Sequence, residues 1–307
     1  MSDKTIARGV YPTMVTPYKN NEIDEEAARA LVEWYIQRGC RGVFAVCQSS
    51  EMFFLSLEER VRLARLVVEA AAGRLCVVAS GHISESFEEQ AREIDAVAAT
   101  GVDAVVLVSN RFDLHGDGDD VWIANAERVL GQVDPSIRFG IYECPHHYKR
   151  LLTPKILDWC LKDGRFRFIK DTCSDPVTLK NRLDQLQGTE ILLFNANEQT
   201  LLDTLRGGAA GYSGVMANFH PDIEAWLCEN YDKAPEKAEL VENILCMTAF
   251  TESLAYPCTA KYYLNKIGVP MSVEARSRDC RQLNAYNKAC VDRLFALDEW
   301  VRNEVIK

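Results

Sequence analysis

The chain has 307 residues, 48% of them apolar and 26% charged, and a formal net charge of −10. That length can bury a sizeable core as one large domain or two modest ones, and the composition is ordinary for a soluble globular protein. The acidic balance argues against a general nucleic-acid binder, which needs a basic face, and no apolar run approaches the roughly 20 residues that span a bilayer.

Eleven scattered cysteines, with no Cys-x-x-Cys pair, and the lack of a secretory signal at the N-terminus point to reduced thiols in the cytoplasm. The five histidines show no His-Glu-x-x-His or comparable ligand spacing, so no metal site and no cofactor is expected.

In chain order, short β-rich runs alternate with longer helix-periodic stretches. The runs are "GVYPTMVTP" (9–17), "GVFAV" (42–46), "LCVVASG" (75–81) and "DAVVLVS" (103–109), then "IRFGIYE" (137–143), "FRFIKD" (166–171), "EILLFN" (190–195) and "AAGYSG" (209–214). Several are apolar on both faces, as parallel strands covered by helices are. Between them, "DEEAARALVEWYIQRG" (24–39) sets Ala27, Leu31, Trp34 and Tyr35 along a helical stripe and stops at Gly39. The stretches at 55–73 and 86–101 have the same form, each ending at a glycine.

Eight such units favour an α/β protein built as a closed (β/α)8 barrel over an open doubly wound sheet, although counting units leaves closure open. No Gly-x-Gly-x-x-Gly turn and no phosphate-binding Gly-Lys-Ser/Thr loop is present, which removes the easy nucleotide readings. After about residue 220 the β signal stops. Residues 1–220 are therefore read as the barrel and 221–307 as a C-terminal helical extension packed on it.

Chemistry in such barrels sits at the C-terminal ends of the strands. That rule collects Thr16, Gln48–Ser49–Ser50–Glu51, Ser80–Gly81–His82, Ser109–Asn110–Arg111, Tyr142–Glu143, Lys170–Asp171, Asn195–Asn197 and Ser213–Gly214. One lysine and one tyrosine fall on neighbouring strands. Lys170 could cap a strand in solvent, pair with Asp171, or be a nucleophile. Burial lowers an amine's pKa, and a neutral amine attacks a ketone to form a Schiff base. Lys170 and Asp171 point to opposite faces if the strand runs through both, which disfavours their pairing.

At these residues the chain resembles the dihydrodipicolinate synthase / N-acetylneuraminate lyase family of pyruvate-type class I aldolases. The likeness runs through "GVYPTMVTPY" (9–18), "CQSSEMFFLSLEER" (47–60), "YECP" (142–145), "FIKD" (168–171), "GAAGYSGVMAN" (208–218) and "AKYYLNKIG" (260–268). It implies a TIM barrel, a Schiff base on Lys170, Tyr142 as general acid/base, and a carboxylate of the substrate held by Ser49 and its loop. Ser213 would lie near the substrate on the last strand, and Glu51 would hold its loop. A homo-oligomer, a dimer or tetramer, is also implied.

Departures from the family pattern accompany this likeness. Cys47 and Gln48 stand where the family has a glycine and a proton-relaying hydroxyl, and an amide cannot relay a proton in the same way. No tyrosine follows the fourth strand, where family synthases lend one to a neighbouring subunit. His147 takes the place of an arginine that grips the second substrate's carboxylate, Glu143 replaces an asparagine and adds charge beside the site, and Arg111 is a candidate carboxylate clamp.

The expectation is a cytoplasmic Schiff-base lyase or aldolase acting on pyruvate or another 2-oxo acid with a sugar-acid-like substrate, and not a typical dihydrodipicolinate synthase. Its site residues are Lys170, Tyr142, Ser49, Gln48, Ser213, Arg111 and His147, and its partners exclude nucleic acid and membrane. A keto-deoxy sugar acid dehydratase, or a non-catalytic binding protein on the same fold, are the alternatives.

Overall fold

Each of the eight apolar runs forms a short parallel strand. In the computed structural model, which describes residues 5–307, they are β1 (Gly9–Val10), β2 (Gly42–Phe44), β3 (Cys76–Ala79) and β4 (Ala104–Val108), then β5 (Phe139–Tyr142), β6 (Phe166–Asp171), β7 (Leu192–Asn195) and β8 (Gly211–Tyr212). The expectation about the N-terminus falls in part on residues 1–4, outside the described residues.

Hydrogen-bonded neighbours run β1–β8–β7–β6–β5–β4–β3–β2. A parallel bridge between Thr13 and Phe44 closes the ring, with Phe44 N–H donating to the Pro12 carbonyl at 2.9 Å and Met14 N–H to the Phe44 carbonyl at 3.1 Å. The fold is a (β/α)8 barrel. Every residue of β4 is buried, as befits a strand walled by helices on one face and by the barrel interior on the other.

Local sequence signals start the helices. Asp24 caps α1 (Glu25–Gln37) by accepting from Ala27 N–H, and the expected stripe of Ala27, Leu31, Trp34 and Tyr35 is buried. Ser56 and Glu59 form a reciprocal capping box on α2 (Leu57–Ala71). Ser86 caps α3 (Phe87–Ala98), and α4 (Asp119–Leu130) follows. Thr153–Pro154 and Asp175–Pro176 open α5 (Pro154–Asp163) and α6 (Pro176–Leu186) with a capping oxygen and a proline already set to helical φ.

After α7 (Leu201–Arg206), α8 (Pro221–Asn230) packs against β1 and so completes the outer ring. The boundary expected at 220 falls just before this helix. The helices beyond it are α9 (Pro235–Thr248), α10 (Cys258–Lys266) and α11 (Ala285–Trp300). The helical reading of the last stretch fails between α10 and α11. Residues 269–279 are irregular there because Arg276 and Ser277 turn their N–H groups onto Glu51, at 2.7 and 2.6 Å. Among the described residues no helix is long and apolar enough to cross a membrane, and no cysteine is disulfide-bonded.

Aromatic rings fill the barrel below the ends of the strands. Tyr11, Phe44, Phe168 and Phe194 pack at centroid separations of 4.6 to 6.1 Å. Gly140 makes room for this layer: a Cβ there would press on Phe168 at 3.0 Å. On the outer face of β5 and β6 lies a buried charge group. Arg182 of α6 pairs with Asp171 and, at 2.7 Å, with Glu143, whose carboxylate also accepts from Leu152 N–H at 2.7 Å and Thr172 N–H at 2.9 Å. The charge of Glu143, expected beside the site, is therefore turned away from the barrel interior.

Removing the cation of this group leaves two buried carboxylates without a partner, and breaking a buried pair from one side costs about 3–5 kcal/mol. Arg182→Met is expected to lose stability of that order in urea denaturation. A loss below about 1 kcal/mol would show that the pair contributes little to the fold.

Candidate active site

The register of β5 on β6 sets Tyr142 opposite Lys170. Partners across parallel strands face the same way, so both side chains point into the barrel above the aromatic layer. The Lys170 ammonium position lies 4.4 Å from the centre of the Tyr142 ring. Lys170 is 5% exposed, and burial lowers its pKa from the ordinary lysine value, more than the thiols of Cys47 and Cys144 and the carboxylate of Glu252 raise it. Asp171, next in sequence, points the other way and is held by Arg182. Burial, reinforced by Cys144 and Cys47, holds the Tyr142 phenol well above its usual range, so it keeps its proton.

These two groups line a cavity of about 610 Å³ at the C-terminal end of the strands. Gln48 and Ser49 line it as well. Tyr142 Oη donates to Gln48 Oε1 at 3.4 Å, and the Cys144 thiol donates to the same oxygen at 3.6 Å. Ser49 Oγ donates to Thr13 Oγ1 at 3.1 Å, which in turn donates to the Gly214 carbonyl at 3.1 Å. Gly214 allows the wall to approach this closely, since a Cβ there would collide with the Tyr212 hydroxyl. A larger depression of about 850 Å³, among Asp95, Ala99, Asp134 and Arg138, lies at the opposite end of the strands and holds none of these groups.

The loops of the site are fixed by polar contacts. Glu51, in the left-handed region at φ 62°, bridges to the backbone of Arg276 and Ser277. The amide of Asn110 donates to the carbonyls of Cys144, His146 and Tyr148 at 3.1, 2.7 and 2.6 Å and so clamps the loop after Tyr142.

Three expected residues lie outside the cavity lining. Ser213 is buried, its N–H donating to the Asn195 carbonyl at 2.8 Å. Arg111 is 3% exposed and donates to the Ile83 carbonyl at 2.9 Å, which turns its guanidinium under the loop after β3. His147 is exposed, whereas its neighbour His146 lines the cavity and packs on Phe53 with ring centres 4.3 Å apart. His82 is also buried away from the cavity, its Nδ1 accepting from Val108 N–H at 3.3 Å and its ring packed on Phe112.

The strand-end rule missed the groups that the C-terminal part contributes. Glu252, Ser253, Tyr256, Ser277 and Arg278 all line the cavity. Tyr256 Oη accepts from Asn218 Nδ2 at 3.2 Å, and Asn218 also donates to the Thr13 carbonyl at 2.8 Å. The Tyr-Pro pair just before α10 was the only local signal at this position, and it marks a turn rather than a site.

A model of the dihydrodipicolinate synthetase family matches residues 6–279. The 4-hydroxy-tetrahydrodipicolinate synthase of Ruegeria pomeroyi is 28% identical over 290 residues, 93% of this chain and 96% of that protein. That of Nitrobacter hamburgensis is 36% identical over 228 residues, 74% of this chain and 75% of that protein. Among solved structures, the wild-type sialic acid aldolase of Ruminococcus gnavus superposes with a TM-score of 0.85 at 18% identity, covering 97% of this chain and 99% of that one. The 4-hydroxy-tetrahydrodipicolinate synthase of Methylacidiphilum fumariolicum SolV gives 0.85 at 21% identity, with 97% and 98% covered. At these identities the structural likenesses concern the fold.

His82 supplies a pH test of the packing behind the site. Burial, with the Arg111 charge, pushes its pKa down to about 3, while an unfolded histidine titrates near 6.5. Below pH 6.5 the unfolded chain gains a proton that the folded chain refuses, so this residue's contribution to stability falls as pH falls towards 3. Between pH 6.5 and 5 the loss is about 1.6 kcal/mol, the slope rising from half to nearly the full ~1.4 kcal/mol per pH unit over that range. Urea denaturation at the two values should show that increment in the wild type and not in His82→Gln. Equal pH slopes in both proteins would contradict it.

Proposed function

The chain belongs to the dihydrodipicolinate synthetase family, a family of lyases, and from that premise we propose that it is a Schiff-base-forming aldolase acting on a 2-oxo acid with a sugar-acid-like substrate. The observation that carries the proposal is the desolvated Lys170 amine 4.4 Å from the Tyr142 ring at the floor of a 610 Å³ cavity.

Burial raises the neutral fraction of Lys170, whose lone pair adds to the C2 carbonyl of the 2-oxo acid. The carbinolamine formed loses its hydroxyl as water, the proton coming from the Tyr142 phenol. This leaves an iminium ion beside a phenolate. The phenolate takes the proton of the substrate's C4 hydroxyl as the C3–C4 bond breaks, and the electron pair of that bond moves into the iminium to give an enamine and a free aldehyde. Tyr142 returns its proton to C3 of the enamine, and water releases the shortened 2-oxo acid from Lys170.

Gln48 and Ser49 complete the pocket in this reading. Gln48 holds the Tyr142 hydroxyl as an acceptor without conducting protons, which separates this site from a relay of three hydroxyls. Ser49 and the backbone of its loop are the proposed carboxylate site. Ser213, Arg111 and His147 would act from outside the cavity wall: Ser213 through the backbone of β8's end, Arg111 by supporting its loop, and His147 from solvent. The enzyme is further proposed to be cytoplasmic and to assemble as a homo-oligomer.

Incubation with pyruvate and borohydride, followed by intact mass measurement, tests the Schiff base. The wild type should gain one reduced pyruvate and Lys170→Ala none. A panel of 2-oxo acids that leaves the wild type unmodified would sink the proposal. Trapping should accelerate with pH as Lys170 loses its proton, levelling off below the pH of about 10.4 that governs an ordinary lysine. Tyr142→Phe is expected to reduce turnover by about 10²-fold or more, the usual worth of a positioned acid/base. Pyruvate plus an aldehyde among the products supports cleavage, whereas loss of water with carbon dioxide marks the dehydratase.

A further inference from the structure

Behind the barrel wall, away from the cavity, sits a polar cluster that the proposed chemistry does not use. Glu198 follows β7, His220 immediately precedes α8, and Glu224 lies one turn into α8. All three are buried, with exposures of 1%, 0% and 0%. One donor atom from each falls within 4.8 Å of the others. His220 Nε2 is 3.0 Å from Glu198 Oε1, and on its far side Nδ1 is 3.0 Å from Asp298 Oδ1 of α11. Asp298 is itself fixed by the Tyr263 hydroxyl, which donates to Oδ2 at 2.6 Å.

The glutamates are not satisfied by these contacts. No nitrogen or hydroxyl donor reaches either carboxylate oxygen of Glu224 or Oε2 of Glu198; all three are buried, and the two carboxylates face each other. A buried carboxylate left unpaired is strongly unfavourable, because it has given up water without gaining a donor. His220 lies between Glu198 and Asp298, 3.0 Å from each. The cluster therefore holds more acceptor atoms than donors.

We propose that Glu198, His220 and Glu224 form a structural site for a divalent transition ion of the zinc type. Nitrogen and oxygen donors suit such an ion, and donors on a tetrahedral zinc lie about 3.3 Å apart at bond lengths of about 2.0–2.1 Å. The His220–Glu198 separation of 3.0 Å is already close to that, and Glu224 has to draw in by a rotamer adjustment. His220 binds through Nε2 as a neutral imidazole. Its Nδ1–H donates to Asp298, the carboxylate–histidine–metal arrangement that fixes tautomer and ring orientation. Two glutamates and a dipositive ion are electroneutral. The ion ties the loop after β7 to α8 and, through Asp298, to α11. Asn197, the residue before Glu198, lines the cavity, so the tie steadies one wall of the candidate site.

The test uses the full-length, tag-free chain purified after growth with added zinc. Elemental analysis should find about one zinc per chain, retained on desalting, and less than a tenth of that in Glu224→Gln, which keeps the side-chain volume. Prolonged chelation should lower the melting temperature of the wild type by several degrees, reversed by zinc, and leave Glu224→Gln unchanged. Three results would overturn the site: zinc-free wild type indifferent to both treatments, zinc retained equally by the variant, or a variant that melts at or above the wild type. The last would mean that Glu198 and Glu224 share only a proton, which the amide replaces. Pyruvate trapping on Lys170 is a separate readout, so the metal site and the Schiff base stand or fall independently.

Discussion

A desolvated amine at the end of β6 is the constraint on which the rest of the site depends. An ammonium in that position would recruit any carboxylate within reach, and the next residue in the chain is one. The alternation of a strand prevents it: Lys170 enters the barrel and Asp171 leaves it. Arg182 then holds Asp171, together with Glu143 from the adjacent strand, on the outer face. Two neighbouring strands thus carry opposite electrical problems on their two faces. Outside, a buried cation balances two acids. Inside, aromatic rings and a phenol surround an amine whose charged form is disfavoured.

That separation explains why Glu143 is compatible with the site. As a residue following Tyr142 it looked like added negative charge beside the substrate. Its carboxylate instead accepts from Arg182 and from the N–H groups of Leu152 and Thr172, which fasten the loops after β5 and β6. Burial and the nearby Asp171 raise its pKa, against the opposing pull of Arg182, so Glu143 is costly to ionise even in this setting. The residue is part of the frame that fixes where Tyr142 and Lys170 end.

Much of this was legible in the sequence because it depends on periodicity. Eight apolar runs, capped helices and the apposition of Tyr142 to Lys170 follow from local patterns repeated along the chain, and the structure has the barrel they imply. What the sequence left hidden depends on contacts distant along the chain. Arg111 sits at the right strand end for a carboxylate clamp, yet its guanidinium is drawn under the loop after β3 by the Ile83 carbonyl. His147 and His146 are adjacent and chemically identical, and only the course of the loop decides that His146 reaches the cavity. Tyr256 enters from a stretch with no strand to mark it. Glu198, His220 and Glu224 have no motif spacing, because β7 and α8 bring them together from different units.

The origin of the cavity's walls also separates chemistry from selectivity. The amine, the phenol, Gln48 and Ser49 all come from the barrel, at positions set by strand register. The groups around the mouth that have no counterpart there, Glu252, Ser253, Tyr256, Ser277 and Arg278, come from the segments after α9 and α10. Among the contacts that hold those segments are Glu51 onto the backbone of Arg276 and Ser277, the Arg276 guanidinium on Glu59 at 2.7 Å, and Asn218 onto Tyr256. A change in the C-terminal part can therefore reshape what the mouth admits while leaving the Lys170–Tyr142 pair in place. The proposed Schiff-base chemistry sets a narrow demand, a 2-oxo acid, whereas the partner that leaves as an aldehyde is chosen by residues under no such demand.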